Sequence, residues 1–146
     1  VLSETELLSR ANIKYERYAN QAIIDSKTRS HRARKQYLPS INKYLGKLAD
    51  EIKDLKEAGI PVPLTTFDTA KKISALLDEA GTATDALDGL LEEAKNFHGR
   101  DLAIFSRDQL LPARHALRSP IDQLELLVSK EDWPVPSYGD LLFHII

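Results

Sequence analysis

The side chains that could bind a metal or move a proton are few and scattered. Four histidines occur, His31, His98, His115 and His144, and none belongs to an H-x-x-x-H or H-E-x-x-H pair that would set two ligands on one helical face. His115, within Arg114-His115-Ala116-Leu117-Arg118, reads as a surface or helix-contact residue rather than a general base. The acidic pairs Asp85/Asp88, Glu92-Glu93 and Glu131-Asp132 read as solvated faces and a helix-end linker, with no aspartate-rich calcium loop. No G-x-x-x-x-G-K-[ST] or G-x-G-x-x-G cradle is present, and no serine-nucleophile motif. The expectation is a chain with no catalytic, cofactor-binding or metal-ligating residue of its own.

Charge offers one further candidate. Between Asp25 and Gln36 the only apolar residue is Ala33, while Lys27, Arg29, Arg32, Arg34 and Lys35 cluster with His31. Clustered Lys and Arg gain from counterion release on a polyanion such as nucleic acid. No aromatic residues are interleaved for base stacking, so a solvated helical turn, or an edge meeting an acidic neighbour, is the favoured reading. Nucleic acid is not the expected partner.

The elements that position these residues follow from apolar periodicity. Ser3 with Glu6 three residues on forms a capping box. Leu7, Leu8, Ala11, Tyr15, Tyr18 and Ala22 then keep helical spacing, and the stripe resumes at Tyr37, Ile41, Tyr44 and Leu48 before Gly59, Pro61 and Pro63 stop it. This predicts one helix about 80 Å long, at ~1.5 Å per residue, kinked near Gln36 to Leu38 by Pro39. Thr66 is the expected N-cap of a second helix, whose face runs from Phe67 to Ala94. Gly81 and Gly89 inside it suggest close helix approach, with a break at Gly81-Thr82 as the alternative. Asn96-Phe97-His98-Gly99 reads as a turn and Asp101 opens a third helix, interrupted by Pro112 and Pro120 so that it is kinked or starts late. The predicted fold is all-α: an antiparallel helical bundle of one long kinked helix, two shorter helices and an extended C-terminal tail.

Length and composition fit one helical domain over residues 1–146. A formal charge of −2 gives no bias toward polyanions, and the lack of cysteine excludes disulfides and thiolate metal sites. No apolar run could span a bilayer, so no membrane partner is expected and cytoplasm is the default. No methionine occurs, even at position 1, which predicts a piece of something longer.

The third helix leads into Trp133-Pro134-Val135-Pro136-Ser137-Tyr138-Gly139-Asp140-Leu141-Leu142-Phe143, where each proline pushes the residue before it toward extended backbone. Leu141, Leu142 and Phe143 need covering, so the tail should dock on helices or on another chain. A helix ending in L-E-L-L-V, an acidic linker, W-P-x-P-x-Y and a final acidic-L-L-F is similar to the extreme C-terminus of type III glutamine synthetases. Two stretches resemble the family in the same order. Glu16-Arg17-Tyr18 with Ile23-Ile24-Asp25-Ser26-Lys27 resembles its E-K-Y and I-x-I-E-A-R, with Asp25-Ser26-Lys27 departing from E-A-R, and Leu38-Pro39-Ser40-Ile41-Asn42-Lys43-Tyr44 resembles its I-P-x-x-x-x-Y. The stretch from about Ile60 to Leu110 carries no specific match.

The resemblance implies a parent enzyme that forms glutamine from glutamate, ammonia and ATP with magnesium or manganese, as a large ring-based homo-oligomer. The family keeps its catalytic residues on an upstream domain, and no matched residue belongs to that set. The chain is therefore expected to be a non-catalytic helical domain whose partners are the upstream catalytic domain and neighbouring subunits. Trp133, Tyr138, Leu142 and Phe143 are the candidate packing or interface residues. The competing expectation is a free-standing adaptor that binds a polyanion through residues 27–35.

Overall fold

The structure is a computed structural model that describes residues 3–135. The helix start is as expected: Glu6 N–H donates to Ser3 Oγ at 3.2 Å, and Ser3 N–H donates to the Glu6 carboxylate at 3.4 Å. From this cap, α1 (Glu4–Arg32) runs into a π-helical turn (Ala33–Tyr37) and on into α2 (Leu38–Glu57) without leaving helical backbone angles. The Leu38 N–H bonds the Ala33 carbonyl, one residue further back than an α-helix would use. That wider turn lies immediately before Pro39, whose ring would press on the preceding turn of a regular α-helix. The expected kinked continuous helix is therefore present, with a π turn as its device.

Gly59, at φ +74°, ends this first rod. Ile60 N–H reaches the Leu55 carbonyl at 2.9 Å and Gly59 N–H the Lys56 carbonyl at 3.2 Å, the paired bonds of a Schellman cap. The second rod, α3 (Leu64–Glu93), begins two residues before the expected Thr66 cap. Pro63 flanks it with extended backbone, and its carbonyl accepts the Phe67 N–H at 3.3 Å. α3 passes through Gly81 and Gly89 unbroken, and a Cβ at either would meet open space, so close approach does not account for them.

After a short 3₁₀ turn (Ala94–Asn96), α4 (Gly99–Phe105), a second π turn (Ser106–Leu110) and α5 (Leu111–Leu127) form the third rod. This rod does not start late. Leu111 N–H bonds the Ser106 carbonyl just before Pro112, repeating the arrangement at Pro39, while Pro120 sits fully buried inside α5. Successive rods run antiparallel, which leaves the first and third parallel: Arg34 meets Asp85 and Asp88, whereas Asp25 meets Arg114 and Lys47 meets Asp132. Among the described residues there is no strand, and no helix is long and apolar enough to cross a membrane.

The core is organised by sevens. Ile73, Ala80, Leu87 and Ala94 recur at that spacing on the second rod, and Ala103, Leu110, Leu117 and Leu124 on the third, all buried. A seven-residue repeat keeps one seam facing its neighbours in supercoiled helices. On the first rod Ala19, Ser26 and Ala33 follow the same rule, but the next buried positions are Ile41 and Leu48. The eight-residue step from Ala33 to Ile41 spans the π turn, which absorbs the extra residue and keeps both sides of the rod in the core. In the third rod the second π turn reorients the packing instead, so that α4 lies on α1 and α5 on α3.

Candidate functional site

Three small hydroxyl residues complete the seam beside the basic stretch. Ser26 Oγ donates to the Ala22 carbonyl and Thr84 Oγ1 to the Ala80 carbonyl, both at 2.7 Å, and Ser30 Oγ donates to Asp88. Ser26, Ser30 and Ala33 are buried, so residues 25–36 are not simply a solvated turn: one side of that stretch is core. Arg34 is fixed across the bundle, its Nε 2.8 Å from Asp88 and an Nη 2.6 Å from both Asp88 and Asp85. Those hydrogen bonds raise the Arg34 pKa above its ordinary value. Asp85 and Asp88, read from sequence as a solvated pair, are structural acceptors.

The remaining arginines of the stretch face a different neighbour. α1 and α5 leave between them a cleft of about 370 Å³ whose walls carry Asp25, Arg29 and Arg32 from the first rod and Arg114, Arg118 and Asp122 from the third. Ala33, Leu117 and Ile121 also line it. Arg118 pairs with Asp122 at 3.3 Å and Arg114 with Asp25 at 3.6 Å, while Arg29 and Arg32 have no carboxylate partner among the described residues. The Arg114 side chain is only 15% exposed, its contact to Asp25 is long, and its Nε has no acceptor. Four guanidiniums against two carboxylates leave the walls two charges positive. Sequence reading found the 27–35 half of this cluster; Arg114 and Arg118, about eighty residues on, join it only because the first and third rods run parallel.

Tyr37 lines the same cleft and also makes contact with Trp133. The two rings lie 5.4 Å apart, tilted by 45°, with Trp133 packed against the cluster of Ile41, Leu48, Ile73, Leu124 and Val128. Burial raises the Tyr37 pKa. After α5 the chain turns: Ser129 Oγ donates to Asp132 Oδ2 at 2.6 Å, Trp133 N–H reaches the Ser129 carbonyl at 3.1 Å, and Lys47 Nζ donates to Asp132 Oδ1 at 2.8 Å. The Lys47 ammonium, then the Ser129 hydroxyl, lower the Asp132 pKa. Trp133 is thus an intramolecular anchor. Tyr138, Leu142, Phe143 and His144 lie outside the described residues. The described histidines, His31, His98 and His115, are exposed, and no three metal-ligating side chains come together among the described residues.

A continuous capped rod, sevenfold core spacing and the Trp133 anchor describe an antiparallel helical domain of three rods. The family model for the glutamine synthetase C-terminal domain matches residues 1–56, nearly the span of the first rod. Over 98% of its length the chain is also 24% identical to a glutamine synthetase of Bacteroides fragilis (strain YCH46), and over 98% likewise 24% identical to the type-3 glutamine synthetase of Dictyostelium discoideum. The chain is thus similar to a glutamine synthetase C-terminal domain over its first rod and to type-3 glutamine synthetases over nearly its whole length, the resemblance its sequence motifs carry. The chain spans about a fifth of the length of these curated relatives, at 20% of each. No solved structure matches it.

Proposed function

We propose that this domain is a non-catalytic docking element through which a type-3 glutamine synthetase-like ligase packs its helical region on its catalytic body and neighbouring subunits in the cytoplasm. The observation that carries this reading is the bare apolar stripe at the start of α1. Leu8 and Ala11 continue the line of Ala19, Ala22 and Ala33 toward the N-terminus, yet Leu7 and Leu8 are 53% and 60% exposed. Ile13 and Ile24, eleven residues apart and so on one face, are also exposed. Ile60, Leu64 and Phe67 form a second exposed apolar group at the α2 to α3 connection. Several large apolar side chains exposed near one another in sequence support a contact surface there.

The relatives are about five times the length of this chain, so a long polypeptide is available to cover those surfaces. In the proposed parent, ATP-dependent formation of glutamine from glutamate and ammonia, with magnesium or manganese, belongs to that remainder. The double variant Leu7→Glu/Leu8→Glu in the full natural protein tests the reading. Burying two leucines is worth about 3–6 kcal/mol, so assembly should weaken by more than about a hundredfold in sedimentation velocity, with helix content unchanged and ligase activity reduced. An intact assembly would refute it.

A further inference from the structure

The cleft between α1 and α5 has a use that docking does not supply. Its walls hold Arg29 and Arg32, which have no carboxylate partner among the described residues, on successive turns of one helix, opposite Arg118 and the poorly compensated Arg114. A guanidinium largely withdrawn from water is costly unless an anion neutralises it closely, and among the described residues Arg114 has one carboxylate at 3.6 Å and an Nε with no acceptor. Like charges lining one concavity also raise each other's cost, a cost that a bound anion removes. Arg forks match the oxygen geometry of carboxylate and phosphate groups. We infer that this cleft binds a small multiply charged anion, bearing phosphate or carboxylate groups, between Arg29 and Arg32 on one wall and Arg118 on the other.

The volume of about 370 Å³ suits a compact molecule rather than a polymer. Thr28 donates its hydroxyl to the Ile24 carbonyl at 2.9 Å, and the apolar Leu117 and Ile121 leave the charged contacts to the arginines. Asp122, already paired with Arg118, competes with the ligand for that guanidinium. Arg34 takes no part, because Asp85 and Asp88 hold it.

Residue-resolved labelling of arginines by phenylglyoxal in the full natural protein, read by peptide mass spectrometry, tests this. Inorganic pyrophosphate is the phosphate probe and citrate the carboxylate probe. At ten times the dissociation constant, labelling of Arg29, Arg32 and Arg118 should fall about tenfold, saturably, while exposed Arg10 and Arg17 stay reactive. Whichever probe protects at the lower concentration names the chemistry. Arg32→Gln should weaken protection of Arg118 by about tenfold, and Asp122→Asn should strengthen it. The inference is overturned if neither probe protects below millimolar concentration, or if Arg32→Gln leaves the protection of Arg118 unchanged. It is also overturned if Arg29 and Arg32 are unreactive before any probe is added, because protein then already covers the cleft.

Discussion

Trp133 shows how one residue can close a bundle. It stands six residues past the end of α5, held by the turn at Ser129 and by its ring against Tyr37. Half-buried aromatic packing of this kind sets the expected effect of Trp133→Ala at a loss of about 2 kcal/mol in denaturant unfolding, with Tyr37→Ala in the same background adding less than it does alone. Asp132 makes the same closure sensitive to pH. Its folded pKa is depressed, so the stability it contributes is fully present above the unfolded value of about 3.9 and is lost as pH falls through the lower folded value. Asp132→Asn should flatten that part of the acid-unfolding curve; an unchanged curve between pH 5 and pH 2 would show that the Lys47 contact contributes nothing.

The π turns are features of elements rather than residues. In the first rod the extra residue lets Pro39 be passed while Ala33 and Ile41 both stay in the core, which makes the turn a register device. Deleting Gln36, which is exposed within the turn, together with Pro39→Ala should give a regular helix with Ile41 and Leu48 still buried. Deleting Lys43 instead rotates Leu48 out of the core and should cost about 3 kcal/mol or more in thermal or denaturant unfolding. Equal losses from the two deletions would contradict the assignment. Much of this was legible beforehand: the Ser3 cap, the Gly59 stop, the kink before Pro39 and the all-α class follow from local chemistry. On the first rod the sevenfold repeat was hidden because Ser26 occupies a buried position that a search for apolar residues passes over. The arginine cleft was half legible, since its second wall depends on a long-range pairing of rods that periodicity does not specify. Thr66 was misjudged because a good capping side chain is not needed where Pro63 already ends the connection in extended backbone.

For the whole molecule, the unequal rods matter most. The first runs from Glu4 to Glu57, far longer than the thirty residues of α3, and its opening turns reach past its neighbours. That inequality leaves Leu7 and Leu8 bare. In 1 M salt the Arg34, Lys47 and Arg118 pairs should be screened, while an assembly held through the leucines should persist. Dissociation by salt alone would move the contact to charged surface. An odd number of rods has a further consequence. The described chain enters at one end of the bundle and leaves at the other, with Asp132 beside Lys47, some forty residues along the first rod from Glu4. At ~1.5 Å per residue that is a strut of about 65 Å. The points at which the described chain begins and ends are thereby set apart by the length of a continuous helical strut. Fluorophores at Glu4 and Lys130 would report that length directly.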